Sequence, residues 1–301
     1  MLGLRKRLLI INYHRVLSEP DPLRENEVTA VDFAMQLGGL ARFFNVMPLA
    51  RAVAALRDGA LPRRAVAVTF DDGYADNVTV ALPILLRLGV PATFFITVGF
   101  LDGGRMWNDA ITDVISVARG TSLDLRSLDM GVLDIATVGA RKHAVASLLA
   151  EWKYLPVAER NARVSELTQT AGSSLPPSTM MTTVQVQQLA AAGMEVGAHT
   201  LMHPILARLP DAEARHEIVA SKHELERITG REVAGFAYPN GRPERDFKEH
   251  HRRMVADAGY RFAVTTEYAA ATRQVDPLLL PRIGTWDRQV GRFLLRMLRF
   301  F

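Results

Sequence analysis

Ala65-Val66-Ala67-Val68-Thr69-Phe70-Asp71-Asp72-Gly73 is the stretch on which the fold of this chain turns. Its first six residues are apolar or β-branched without alternation, the pattern of a strand covered on both faces, as in a parallel sheet. Two adjacent carboxylates and a glycine end it. A strand core of Val and Phe has no use for charge, so Asp71 and Asp72 belong where the strand emerges, at a sheet edge or barrel mouth. Neighbouring carboxylates repel, and holding both is costly unless a cation or a proton is shared. That points to a metal site, one Asp as ligand and the other as base. A strand-ending turn accounts for the same residues, since Asp and Gly are common there, and the stretch alone does not choose between the two.

Working outward, residues 8–11, 92–98, 194–198, 235–237 and 262–265 form further short apolar runs that read as buried parallel strands. Helical patterns alternate with them, at 30–44, 49–58, 77–88, 183–192, 211–228 and 247–258. Leu88-Gly89-Val90-Pro91 has a glycine helix stop followed by proline, and Ala192-Gly193 and Ala258-Gly259 repeat the helix–glycine–strand junction. Such alternation predicts an α/β fold, a distorted (β/α) barrel of about seven strands or a doubly wound sheet. Residues 113–179 break the rhythm. They are rich in Ala, Arg and Leu, and they end in the loop 172–177; a helical insertion into a single domain spanning 1–301 is expected there.

Composition narrows the function. Of 301 residues 49% are hydrophobic and 23% charged, which suits a globular protein with a large core. There is no cysteine, so disulfides and thiolate metal sites are excluded and His, Asp and Glu remain as ligands. The net charge of +4 is mild and no nucleic-acid partner is expected; the basic residues gather at the ends, Arg5, Lys6 and Arg7 first and Arg288, Arg292, Arg296 and Arg299 last. No apolar run approaches the roughly 18 residues that a membrane-spanning helix needs. The opening basic-then-apolar run resembles a signal peptide, but only Leu8 to Ile11 precede Asn12 and no small-residue cleavage site follows. A first strand, and a cytoplasmic protein, are the expectation.

A second strand end carries ligands: Glu195-Val196-Gly197-Ala198-His199-Thr200-Leu201-Met202-His203-Pro204. Two imidazoles four positions apart would share a helix face. Pro204 biases His203 away from helical angles, so a tight turn would have to converge the rings. Either histidine alone reads as a packed or surface residue, whereas the pair after a strand favours a metal. Two His with one carboxylate leave coordination positions open, as catalytic zinc sites require. His143 falls in the insertion, and His216, His223, His250 and His251 lie on charged helical faces, where a solvated role is expected.

Thr69-Phe70-Asp71-Asp72-Gly73 with His199-Thr200-x-x-His203 and Phe236-Ala237-Tyr238-Pro239-Asn240-Gly241 resembles the polysaccharide deacetylase family, the NodB-homology domain of carbohydrate esterase family 4. The resemblance runs from about Leu8 to Trp286, and within the family it is nearest to the poly-N-acetylglucosamine deacetylases. It implies Asp71 as general base, Asp72, His199 and His203 as ligands of a divalent metal, most naturally Zn²⁺, and the Tyr238 backbone N–H at the oxyanion. The implied reaction is attack of metal-activated water on an acetamide carbonyl, with Asp71 taking the proton. Pro239 would touch substrate.

Two positions depart from the family. Phe236 stands about where an Arg usually pairs with the catalytic base, and the late Leu-x-His that supplies the acid is missing from Leu279-Leu280-Pro281-Arg282-Ile283-Gly284-Thr285. Arg282 could replace the first. His14, at the end of the first strand, could replace the second, or could merely end that strand. Trp107, Asn108 and Asp109 follow another strand and could bind a sugar, although a packing role is the default for such a Trp. At 287–301 the arginines fall on one helical face and Val290, Phe293, Leu294, Met297 and Phe301 on another; the first half should pack on the barrel, with Phe300 and Phe301 at a membrane surface. The expected function is N-deacetylation of an amino-sugar glycan or a lipid-linked sugar intermediate, at a cytoplasmic location that could be peripheral to the membrane. Deformylation of a lipid-linked amino-sugar and glycan binding without catalysis are the alternatives.

Overall fold

The structure is a computed structural model that describes residues 6–172, 174–285 and 287–301. Arg5 of the opening basic run, Ser173 of the 172–177 loop and Trp286 lie outside the described residues. The chain divides into two compact units. One runs to residue 20, from 26 to 102 and from 180 to the end; the other holds residues 21–25 and 103–179.

The first unit is built on seven parallel strands: β1 (Leu8–Tyr13), β2 (Ala65–Phe70), β3 (Ala92–Ile96), β4 (Glu195–Ala198), β5 (Gly235–Ala237), β6 (Phe262–Val264) and β7 (Ile283–Gly284). Their spatial order is β6-β5-β4-β3-β2-β1-β7, with the short strand Asn45–Val46 added on β2. A parallel bridge from Val264 to Leu280 sets the segment leading into β7 beside β6, so the sheet curls into a distorted barrel. Helices α1 (Ala30–Phe43), α2 (Leu49–Arg57) and α3 (Leu82–Leu88) belong to this unit. Every expected strand and helix is present.

Alternation explains the layers. Leu9, Ile11, Tyr13, Val66, Val68, Phe70 and Phe94 are buried in one core with Phe33, Leu37 and Leu40 of α1. Leu8, Ile10, Ala65 and Ala67 fill the other with Phe95 and Val264. Phe70 and Phe94 stack with ring centroids 4.6 Å apart; burying each contributes ~2–3 kcal/mol. Pairing Tyr13 with Phe70, Phe70 with Phe94, Ile96 with Ala198, and Ala237 with Val264 sets the carboxy ends of the strands level. The residues after each strand therefore meet at one mouth.

The second unit contains α4 (Trp107–Val117), α5 (Val138–Trp152) and α6 (Val157–Ala171) around Ile111, Ile115, Leu148 and Trp152. It also contains an antiparallel hairpin, Ser122–Leu125 with Gly131–Asp134, where only helices are expected. Leu123 and Leu125 are buried while Ser122 and Asp124 are exposed, a strand alternation too short to stand out in the sequence.

Later in the first unit come α7 (Thr183–Ala191), α8 (Asp211–Thr229), α9 (Glu249–Asp257) and α10 (Val290–Leu298). Phe293, in the half of this segment expected to pack on the barrel, is buried, and Met297 in the second half is buried as well. Phe300 and Phe301 are not the freely exposed rings expected at a membrane surface. They are half-buried, Phe300 against Tyr268 at 5.5 Å and Phe301 against Phe44 at 6.0 Å, because packing two rings on an apolar wall outcompetes leaving them in water.

Candidate active site

Inner-face alternation along β2 delivers Asp71 into the barrel mouth. A continued strand would send Asp72 to the opposite face, but its φ of +74° breaks the alternation. Thr200 and His203 also occupy the left-handed region, at +65° and +52°. Such backbone costs ~1–3 kcal/mol per residue and persists only where the surroundings hold it. Here they do: the Thr97 N–H donates to the Asp72 carbonyl at 3.1 Å, the His203 N–H donates to Thr200 Oγ1 at 3.0 Å, and Glu217 accepts from the Leu201 and Met202 N–H groups at 2.8 and 2.9 Å. Glu217 thus shapes the turn that converges the two imidazoles despite Pro204. No signal in the sequence marks it, since α8 simply delivers it from a charged helix.

Asp72 Oδ1 lies 3.4 Å from His199 Nε2 and 3.5 Å from His203 Nε2, and one ligand atom from each residue falls within 4.8 Å of the others. The His199 Nδ1–H donates to the Ala237 carbonyl at 2.7 Å, which fixes the tautomer and turns the Nε2 lone pair toward Asp72. Burial pushes the His203 imidazolium down to a pKa of about 3, against the pull of Asp72, so this ring is neutral at ordinary pH. Burial works to raise the Asp72 carboxyl, but the facing imidazoles of His199, His203 and His14 hold it below the usual carboxylate range. Asp72 Oδ1 and His203 Nδ1 are nonetheless buried without a hydrogen-bond partner. One carboxylate oxygen and two imidazole nitrogens, with an orphaned buried acceptor among them, is a donor set that fits a divalent cation.

Asp71 is held differently. Arg282 grips it bidentately, Nη1 to Oδ1 and Nη2 to Oδ2, both at 2.7 Å. Both side chains are buried. The remaining Arg282 donors go to the Asn12 side chain at 2.9 Å and, through Nε, to the Thr265 carbonyl at 3.0 Å. Asn12 Nδ2 donates to Asp71 Oδ2 at 3.1 Å. Burial raises the Asp71 carboxyl, yet Arg282 and His199 together hold it below its ordinary value. Arg282 thus occupies the role for which Phe236, buried in the core, is unfit. Asn12 was missed; its place two residues ahead of His14, on the same strand face as Ile10, is the signal that could have found it.

His14 is exposed, its carbonyl held by Asn77 Nδ2 at 2.8 Å. Although the residue keeps contact with solvent, desolvation by the surrounding protein acts to lower its pKa, but Asp72, Asp71 and Glu27 together raise it above the ordinary imidazole value. A cleft of about 630 Å³ opens here, lined by His14, Asn12, Glu27, Tyr268, Arg282 and Thr285.

Other expected site residues are placed elsewhere. The Tyr238 N–H, expected at the oxyanion, donates to the Val264 carbonyl at 3.2 Å as part of the sheet, and its ring stacks on Phe247 at 3.7 Å. That amide is already bonded. Pro239 is buried in the turn after β5, its carbonyl accepting from the Gly241 N–H at 2.7 Å, so it offers a sugar no surface. Trp107, Asn108 and Asp109 belong to the second unit. Trp107 lies under the Arg160 guanidinium at 4.7 Å, and Asp109 is buried 4.0 Å from Arg24, the packing roles that a Trp and a buried acid usually have. His251, expected on a solvated face, is buried with Nδ1 accepting from the Lys248 N–H.

The comparisons with known proteins agree with this geometry. The polysaccharide deacetylase family model matches residues 58–116 and 157–263, which include Asp71, Asp72, His199, His203 and Tyr238. A relative in Bacillus subtilis (strain 168), the polysaccharide deacetylase homologue YxkH, is 21% identical over 220 residues, 73% of this chain. The chain spans about half of that relative's length, 51%. Among solved structures, the Streptococcus pyogenes deacetylase PplD in complex with acetate superposes with a TM-score of 0.65 at 20% identity, over 98% of both chains. IcaB from Ammonifex degensii gives 0.63 at 19% identity, over 97% of both. These likenesses establish the fold, and with a family model that covers more than half of the residues, the chain belongs to the polysaccharide deacetylase family.

Proposed function

We propose that the barrel mouth hydrolyses the acetamide of an N-acetylated amino-sugar glycan, releasing acetate and leaving a free amine. One observation carries this reading: a carboxylate held ionised by Arg282 stands directly beside an Asp–His–His set in which Asp72 Oδ1 and His203 Nδ1 are buried without hydrogen-bond partners. A divalent cation held by Asp72, His199 and His203 would supply Lewis-acid polarisation of the acetyl carbonyl and offset charge on its oxygen.

The chain's own groups handle the protons. Asp71, kept as a carboxylate by Arg282 and Asn12, accepts a proton from the attacking water as the new C–O bond forms. His14, whose charged form is favoured by the surrounding carboxylates, then donates a proton to the amine nitrogen as the C–N bond breaks. Arg282 and Asn12 orient Asp71. The cleft at His14 is open, and Asn12, Glu27, Arg282 and Thr285 line it beside Tyr268, a mixture of hydrogen-bonding groups and apolar wall that suits a sugar chain.

The test is acetate release from N-acetylglucosamine oligomers, combined with metal analysis. About one divalent ion per chain is expected, lost in His199→Ala together with activity. His14→Gln should lower kcat by ~10²-fold with the metal retained. A chain that binds no divalent metal and releases no acetate from oligomers, peptidoglycan or lipid-linked sugars would sink this reading. Formate release in place of acetate would redirect it to deformylation.

A further inference from the structure

The end of the barrel opposite the site is built for a different task. Lys6 and Arg7 stand just ahead of β1, and Arg63 and Arg64 just ahead of β2. In a parallel sheet these are the amino ends of the strands, ~17 Å of strand away from the mouth. The four cations line a cavity of about 360 Å³ with Pro62, Leu298 and Phe301, and no carboxylate lines it. Among the described residues Lys6 and Arg7 donate only to backbone carbonyls, of Gly59 and Phe300, each at 2.9 Å. Some other arginines near the surface sit on acids, Arg227 on Glu224 and Arg252 on Glu249. Arg63 and Arg64 have no carboxylate partner among the described residues.

Beside this cluster α10 keeps an apolar rib in water. Leu298, 37% exposed, forms part of the cavity wall, and Leu295, 63% exposed, lies one turn back on the same helix face. Arg292 and Arg299 flank the rib on a helix with no acidic residue. A helix whose inner face is already buried through Phe293 and Met297 has no structural need for two more exposed leucines.

We infer that this end of the barrel docks on an anionic lipid surface. Its unpaired cations engage phosphate-bearing headgroups while Leu295 and Leu298 enter the headgroup–acyl boundary. Charge complementarity selects an anionic partner, and the exposed leucines select a lipid over a purely polyanionic one. The contact does not depend on what the mouth hydrolyses. It does orient the mouth away from the bilayer, toward a polymer rather than a sugar carried on the same lipid surface.

Co-sedimentation of the full chain with phosphatidylcholine vesicles, with and without phosphatidylglycerol, tests it. Binding is expected only to the anionic vesicles and should weaken as salt is raised. Arg63→Gln with Arg64→Gln should reduce vesicle affinity roughly 30-fold. Leu295→Ser with Leu298→Ser should reduce it roughly tenfold. All four positions are exposed, so thermal unfolding and acetate release from oligomers should match the parent chain. Equal binding to neutral vesicles overturns the inference, as does an arginine variant that binds like the parent. Should the leucine variant retain full binding, the face is a plain polyanion site and the lipid assignment fails.

Discussion

The barrel mouth and the helical unit each bury two aspartates, and they treat them in opposite ways. In the helical unit Asp113 receives Arg24 on one oxygen and Arg105 on the other, and Asp109 lies within 4.0 Å of the same Arg24. The acids there are matched by permanent cations. At the mouth one such pairing exists, Asp71 with Arg282. Its neighbour Asp72 faces two imidazoles instead, one of them neutral through burial. A buried acid completed by arginine is finished as structure. A buried acid facing imidazole nitrogens still lacks a permanent cation, and that difference separates a packing cluster from a site.

Substitutions can break or sharpen this contrast. The largest effect should come from Asp71→Asn, which leaves Arg282 a neutral partner and removes the base: kcat should fall by ~10³-fold while metal stoichiometry stays that of the parent. Loss of metal in this variant would mean that Asp71 is a ligand and that the division between the two aspartates is wrong. In the helical unit, Asp113→Asn should cost about 3 kcal/mol in denaturant unfolding, because it leaves two guanidinium groups short of a buried carboxylate, without altering metal affinity.

Arg282→Gln is the next test. It should lower kcat/KM by ~10²-fold at neutral pH through misplacement of the base. The sign of its pH effect follows from the pairing. Arg282 stabilises the ionised form of Asp71, so its removal raises the Asp71 pKa and the acid limb of the profile moves to higher pH. A rate loss with an unmoved acid limb would show that Arg282 acts only in packing. The smallest effect is expected from Glu217→Gln. One acceptor with less charge then holds the Leu201–Met202 turn, and titration with Zn²⁺ should show roughly tenfold weaker binding with the fold intact.

Much of this was legible in the chain. The strands at residues 65–70 and 92–98 announced themselves by continuous apolar runs that end in polar residues. The ligand set could be read because its members lie at or a few residues beyond strand ends, and in a parallel barrel all such positions share one end. The hairpin at Ser122–Leu125 was hidden by its length, and the Phe300–Phe301 packing by the lack of any local mark for a partner such as Phe44. Tyr238 shows the limit of motif reasoning. Its residue type matches the family, but whether its amide is free depends on the register between β5 and β6, and that register directs it to Val264.

The sequence by itself determined an α/β fold with polar strand ends and offered the Asp71–Asp72 pair with His199 and His203 as residues able to hold a cation; the resemblance to the family singled out Asp72. Periodicity and residue chemistry are local, and they survive without knowledge of neighbours. Only the tertiary structure decided what holds Asp71. Arg282 lies 211 residues away, and it reaches the carboxylate because β7 pairs with β1, whose other neighbour is β2. It likewise decided that Glu217 shapes the histidine turn, and that Lys6, Arg7, Arg63 and Arg64 gather with the end of α10 around one cavity. Long-range pairing set by sheet order has no local trace in the chain, because its energy resides in the register of elements far apart in sequence.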